Sequence, residues 1–480
     1  MAMAIALILL VVGSVAFHFL SPWWFTPIAS NWTMMDSTVN LTFVVTGIVF
    51  VAVNLFMAYA IMRFRHRKGQ KARYEPENKK LEWWLTIVTS VGVAAMLTPG
   101  LFVWADFVNV PKDAAIVEAV GRQWNWSFRF PGQDGVLGAS SAALITVDNP
   151  FGIDPQDPTG QDDVLIPGQE LHLPLGKPVK LLLRSTDVLH DFTVPQFRVK
   201  MDLVPGMITY VWLTPTRAGS YEILCEELCG LAHFAMRGRV VVDEAPAFDT
   251  WFGGQATFAD TLARPTGDAT AGQATYVTCM ACHGAQGEGN PLLNAPKLAG
   301  QPGWYIARQL SNFRHGLRGA SNNDTYGQQM VGFASLLDEA ATRNLIAYLQ
   351  TFPDSRPPTT LVGNAVKGAS LYGTCAGCHG PTGEGIWSTG GPRLAHMSDW
   401  YLQRQLANFR QGIRGGHPQD FYGTQMALLA NSLKGDRAVE NVMAYINTLT
   451  PAKPLMPPTV EPAVEPADSL AGATASVTYR

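Results

Sequence analysis

The stretch from Cys225 to Met236, CEELCGLAHFAM, decides how the chain is read. Two cysteines stand four residues apart, a histidine follows four residues after the second, and a methionine three residues after that. Upstream, His190 lies in VLHDF. Together these residues offer two thiolates, two imidazoles and a thioether, soft donors that select copper or zinc over calcium or magnesium. A closed structural zinc site is the rival reading, but it normally uses CxxC-like pairs and no methionine. The plain alternative is two buried cysteines or a disulfide beside a core histidine and methionine. It requires spacing and donor types to coincide by chance.

Working outward, 480 residues are too many for one domain and suggest three or four. Hydrophobic residues make up 47% and charged residues only 15%, which points to a membrane portion. The six cysteines are Cys225, Cys229, Cys279, Cys282, Cys375 and Cys378, and each lies in a metal or haem motif. None remains for a structural disulfide, so cysteine usage alone does not assign a compartment. A net charge of −3 gives no ground to expect a nucleic-acid partner.

Two runs without a charge, Leu41–Met62 of 22 residues and Trp83–Val103 of 21, are long enough to cross a bilayer core as helices. Between them Arg63, Arg65, Arg67, Lys68, Lys71, Arg73, Lys79 and Lys80 face only Glu75 and Glu77, which puts the loop in the cytoplasm and everything after Val103 outside. Trp83, Trp84 and Trp104 suit interfacial anchoring, as do Trp23, Trp24 and Trp32 on the outer side. The run Met1–Leu20 reads either as a third, retained helix or as a cleaved leader. It lacks a basic n-region and a convincing A-x-A site, which favours the helix.

From about 113 to 243 apolar and polar positions alternate, as in AIVEAV, VKLLLRS, MITYVWL and GRVVV, broken by Pro and Gly. Short strands of a β-sandwich or Greek-key barrel, cupredoxin-like, are expected, with the metal donors on loops at one end. Within it Asp148, Asp154, Asp157, Asp162 and Asp163 could gather a cation, but a solvated loop fits such a run better.

Beyond a linker the chain repeats. CMACH at 279–283 recurs as CAGCH at 375–379, and PKLAG/PRLAH, WYIARQLSNFRHGLRG/WYLQRQLANFRQGIRG and YGQQM/YGTQM recur at the same 96-residue offset. This is a tandem duplication. CxxCH attaches haem c covalently: Cys279 and Cys282, then Cys375 and Cys378, supply the thiols, and His283 and His379 bind iron from one side. A second axial ligand must recur at the same offset. Met330 and Met426 do, whereas His315, His396, Met397 and His417 do not. His/Met ligation fills both axial positions and favours electron transfer over oxygen binding.

The motif CxExCGxxHxxM resembles, position by position, the dinuclear copper (CuA) site of subunit II of cytochrome c oxidases. The repeats are similar to class I cytochromes c in tandem. The resemblance implies two copper ions bridged by Cys225 and Cys229, with His190, His233, Met236 and the backbone carbonyl of Glu227 as further ligands, and Glu227 as a ligand for magnesium at the interface with subunit I. LEWWLT resembles the family segment whose glutamate, here Glu82, opens a proton-uptake path. GRQWNWSFRF resembles its aromatic segment, which makes Trp124 the place where electrons arrive from a soluble donor, or from one of the chain's own haems. The family commonly has Arg after the Pro-Gly of VPGM, where this chain has Met207.

The chain is therefore expected to be a multidomain membrane protein of this order: an apolar N-terminal segment (1–36), a transmembrane helical hairpin (37–108), an all-β cupredoxin-like Greek-key domain (109–243), a linker (244–269), two small all-α cytochrome c domains (270–353 and 354–450) and a disordered tail (451–480). The implied function is an electron-receiving subunit of a proton-translocating oxidase in the bacterial inner membrane. Its partners would be subunit I, other membrane subunits, and a soluble cytochrome c or copper protein as donor. Outside the cytoplasmic loop 27 basic residues face 36 acidic ones, a balance that would attract a basic donor or merely maintain solubility. A copper subunit of a nitric oxide reductase and a copper-delivery protein are the alternatives.

Overall fold

The computed structural model describes residues 1–21, 26–69, 71 and 76–452. Trp23, Trp24, Arg73, Glu75 and the tail from 453 onward lie outside the described residues. Three apolar helices lead the chain, α1 (Ala2–Leu20), α2 (Thr33–Arg63) and α3 (Lys79–Val108), each long and apolar enough to cross a membrane. Both expected spans fall inside α2 and α3, and the first apolar run forms α1, which lies along α2. Trp83, Trp84 and Trp104 are exposed, as interfacial anchors would be. Trp32 is not. It is 3% exposed, donates its indole N–H to the Trp212 carbonyl at 3.0 Å and packs on Trp212 and Phe107. Arg198 clasps the Asp36 carboxylate at 2.6 and 2.9 Å, so the first turn of α2 is fixed to the β-domain.

The β-domain comprises β1 (Ala115–Arg122), β2 (Asn125–Phe130), β3 (Val164–Ile166), β4 (Glu170–Pro174), β5 (Val179–Ser185), β6 (His190–Val194), β7 (Val199–Leu203), β8 (Thr209–Leu213), β9 (Gly219–Leu224) and β10 (Arg237–Asp243). They form two five-stranded sheets, ordered β3-β2-β1-β5-β8 and β4-β10-β9-β6-β7. The pairs β1–β5 and β4–β10 are parallel; the others are antiparallel. Alternation along β5 buries Val179, Leu181 and Leu183 against Trp126, Phe128 and Phe192, the core of the expected sandwich.

The segment expected as a linker, 244–269, is largely structured: α4 (Ala245–Gly253) and α5 (Phe258–Leu262) dock on the β-domain. Phe248, Trp251 and Phe252, spaced for one helical face, surround Phe130 with ring centroids 5.4–6.4 Å away, and Phe258 is fully buried beside Phe151 and Ile153. The aspartates of the turn-rich loop serve structure. Asp157 accepts from the Ala139 and Thr159 amides, Asp162 from the Gln133 amide, and buried Asp163 pairs with Arg129 at 2.9 Å.

Each cytochrome repeat has four helices: α6 (Ala269–His283), α7 (Gly303–Arg314), α8 (Thr325–Ala334) and α9 (Glu339–Leu349), then α10 (Ala365–His379), α11 (Asp399–Arg410), α12 (Phe421–Ala430) and α13 (Asp436–Ile446). First and last helices cross at a glycine in both. A Cβ on Gly272 or Gly368 would lie 1.9 Å from the carbonyl oxygen of Asn344 or Asn441. The repeats face each other about a local two-fold relation: Lys297 donates to the His396 carbonyl and Arg393 to the Gly300 carbonyl, while Arg308 lies over Tyr422 and Arg404 over Tyr326.

Candidate metal centre

The strands of one sheet end where the copper motif begins. His190 opens β6, Cys225 follows β9, and Met236 immediately precedes β10, so the loop between β9 and β10 is anchored at both ends by ladder hydrogen bonds. All six donors named from the sequence converge there. Cys225 Sγ lies 3.7 Å from Cys229 Sγ, 4.0 Å from His190 Nδ1 and 3.2 Å from the Glu227 carbonyl oxygen. Cys229 Sγ lies 3.5 Å from His233 Nδ1 and 3.8 Å from Met236 Sδ. The sulfurs are far beyond the about 2.05 Å of a disulfide. Donors sharing a metal at about 2.0–2.3 Å in tetrahedral array stand roughly 3.3–3.8 Å apart, so these spacings fit metal ligation. Six donors exceed what a tetrahedral structural zinc takes.

The electrostatics suit a cation. The hydrogen bond with Cys229 drives Cys225 to ionise against the cost of burial, and with help from His190 its pKa falls to about 3. Cys229, beside that thiolate and buried, is pushed well above the ordinary thiol range, so one proton stays with the pair. Asp187 Oδ1 accepts from His190 Nε2 at 2.8 Å, which turns Nδ1 toward the sulfurs. Gln123 donates to the Cys229 carbonyl at 2.7 Å. Among the described residues His190, Cys225 and Cys229 are the one group of such side chains close enough together to hold an ion.

In the second repeat Cys375, Cys378, His379 and Met426 line one cavity, with Leu394, Leu402, Phe409 and Ile446 as apolar wall. Met397, which fails the recurrence test, also reaches that wall. His379 Nδ1 is held by the Pro392 carbonyl at 2.7 Å and His283 Nδ1 by the Pro296 carbonyl at 2.8 Å, which leaves Nε2 of each for iron. Burial lowers the pKa of both, favouring the neutral ligating form. Cys279 and Met330 occupy the matching positions of α6 and α8.

Between the repeats the guanidiniums of Arg308, Arg318 and Arg414 meet amide, hydroxyl and carbonyl oxygens and aromatic rings, and the Nε of each is buried without a partner. Buried charge normally has a counter-charge. The carboxylates of a haem would supply it, so cavity and cations together fit that group.

Trp124 is not the surface aromatic expected. It is 3% exposed, because the second repeat covers it: a Cβ on Gly377, inside CAGCH, would lie 3.5 Å from the indole and 3.6 Å from Leu231. Asn125 donates to the Ser388 carbonyl at 2.7 Å, and the Gln425 amide donates to the carbonyls of Trp124 (2.5 Å) and Ala235 (3.2 Å). Gln425 precedes Met426, and Ala235 precedes Met236. Sequence reasoning missed Gln425, whose only signal was its recurrence in YGQQM and YGTQM. Glu82 lies in the first turn of α3, is exposed, and stands apart from the other site residues.

Residues 115–244 match the family described as cytochrome c oxidase subunit II, periplasmic domain, and residues 269–353 and 365–450 each match the cytochrome c family. The chain is similar to the alternative cytochrome c oxidase subunit 2 of Bradyrhizobium diazoefficiens, 59% identical over 259 residues, covering 54% of this chain and 94% of that one. It is similar to cytochrome c oxidase subunit 2 of Cereibacter sphaeroides at 26% over 249 residues (47% of this chain, 76% of that one). It also resembles cytochrome c4 of Pseudomonas aeruginosa at 35% over 161 residues, 32% of this chain and 76% of that one.

Proposed function

Because the chain belongs to the cytochrome c oxidase subunit 2 family, we propose that it collects electrons outside the bacterial inner membrane and delivers them to the oxygen-reducing subunit I of a proton-translocating oxidase. Two haems c, at Cys279, Cys282, His283 and Met330 and at Cys375, Cys378, His379 and Met426, and two coppers at His190, Cys225, Glu227, Cys229, His233 and Met236 would supply one-electron storage in the order first haem, second haem, copper. The observation that carries this order is the seat of the second CxxCH helix on Trp124. There a methyl group on Gly377 of the haem-attachment turn would lie 3.5 Å from the indole, and one on Gly230 of the copper loop 3.2 Å from it.

The protein's own part is positional. Three strands of one sheet, β6, β9 and β10, hold the ligand set, so that donors barely move when charge changes. The Gln425 amide ties that loop to the helix carrying Met426. Glu227, half-buried on the copper loop, suits a magnesium ion shared with subunit I. Glu82, in the first turn of α3 beside the basic loop, suits the cytoplasmic mouth of a proton path.

The test is Trp124→Phe in the intact complex, a change chosen to limit loss of core volume, with haem and copper contents measured. Haem reduction by the donor is expected to keep its rate, while haem-to-copper transfer slows at least about tenfold, ~1.4 kcal/mol of barrier. Copper reduction at the unsubstituted rate would sink the relay. Consumption of oxygen rather than nitric oxide by the purified complex separates this reading from a nitric oxide reductase.

A further inference from the structure

The two cytochrome repeats share a fold but not a neighbour. In the second, Gly377, Ser388, Gln425 and Leu429 form the face seated on the β-domain. Shifted by the repeat, the same face of the first consists of Ala281, Leu292, Gln329 and Phe333, and nothing among the described residues covers it. Leu292 is 90% and Phe333 44% exposed, and both carry more apolar surface than the Ser388 and Leu429 that replace them. Exposed apolar surface beside a redox site marks a place of association.

The occupant of the second face shows what such a face receives: a redox domain presenting an aromatic ring and backbone carbonyls over a CxxCH turn. Differences between the faces say how firmly. Arg122 and Arg239 of the β-domain lie over Trp387 and Phe421, 5.0 and 5.9 Å from the ring centroids. The first repeat has Pro291 and Thr325 at those positions, so the apolar centre is kept and the cation–π clamps are gone. None of these positions in the first repeat is charged.

We propose that the face around Ala281, Leu292, Gln329 and Phe333 is the docking surface of a small soluble one-electron carrier protein whose own redox edge lies in an uncharged apolar patch, bound briefly and without charge steering. The inference rests on the relay reading above and names its first contact.

The test uses the purified oxidase with the full chain. Probes are azurin, a small blue-copper protein, and a soluble class I cytochrome c; ascorbate with a small redox mediator serves as the reductant that needs no docking. Leu292→Glu combined with Phe333→Glu is expected to raise the Kd of whichever probe binds the unsubstituted complex about tenfold or more, measured at equilibrium without turnover, because a carboxylate must now be desolvated at each contact. Mediator-driven reduction, haem content and haem-to-copper transfer stay unchanged. Raising ionic strength changes the unsubstituted association rate by less than about threefold, since the face has no charge to screen. Unchanged affinity in the double variant, a steep salt dependence, or binding of neither protein probe would each overturn the inference. Normal donor binding without haem-to-copper transfer would instead sink the relay and leave the docking face standing.

Discussion

Asp187 does for the copper loop what no ligand can do for itself. Its carboxylate fixes which nitrogen of His190 faces Cys225, and outer partners of this kind hold a ligand set in place before metal arrives. Asp187→Asn is expected to weaken copper binding by about 10–100-fold in competition with a chelator, with the β-domain still folded. Gln425 is the counterpart between domains. Each of its two hydrogen bonds contributes about 0.5–1.5 kcal/mol to the seat of the second repeat. Gln425→Ala should therefore slow haem-to-copper transfer, whereas Gln329→Ala, the same change in the first repeat, should leave that step alone. Equal effects from both would mean that the glutamine serves its own repeat and not the junction.

Helix α4 shows an element held by charge as well as by apolar area. His172 on β4 stacks on Trp251 of α4, with centroids 4.1 Å apart, and contacts Asp243 of β10 at 2.5 Å and Glu170 of its own strand at 3.2 Å. Burial opposes its protonation, but Glu170 and Asp243 outweigh burial and raise its pKa above 6.5, while Arg239 stands 3.4 Å from Glu170. A histidine raised on folding stabilises fully below its unfolded pKa and loses that contribution as pH climbs through the folded value. The protection of α4 amides, taken relative to their intrinsic exchange rate at each pH, is thus expected to fall from pH 6 to above the raised value, and His172→Gln to flatten that fall. This docking was legible in part. Phe248, Trp251 and Phe252 already had helical spacing, but a window between two strong motifs reads as a linker when its partner, Phe130, lies more than a hundred residues away. The run Cys225–Met236 and the two CxxCH motifs were legible because fixed short spacings encode them, whereas His190 as a ligand came only with the resemblance and Met330 and Met426 only with recurrence at the repeat offset. Trp124 had two readings, arrival of electrons from a soluble donor or from one of the chain's own haems; its cover by Gly377 fits the second, and no local pattern reports a contact between distant surfaces. Trp32 was misplaced for the same reason, its partner being Trp212.

Across the whole molecule, duplication and asymmetry work together. Two repeats of one sequence face each other about a local two-fold, yet a single β-domain can seat only one of them, and the second repeat holds that seat. Under the proposed relay, the repeat nearer the β-domain in sequence is therefore the one farther from the copper along the electron path. Sequence proximity alone would suggest the reverse order, so removing either haem distinguishes the two. Cys375→Ala with Cys378→Ala, which removes the second attachment, is expected to leave the first haem reducible by a protein donor and the copper oxidised. Cys279→Ala with Cys282→Ala should abolish reduction by that donor while a small mediator still reduces the second haem and then the copper. The spectrum of the remaining haem reports whether each variant keeps its fold. Copper reduced at the normal rate without the second haem would place Trp124 in contact with some other donor, and the relay would have to be redrawn with the two repeats exchanged.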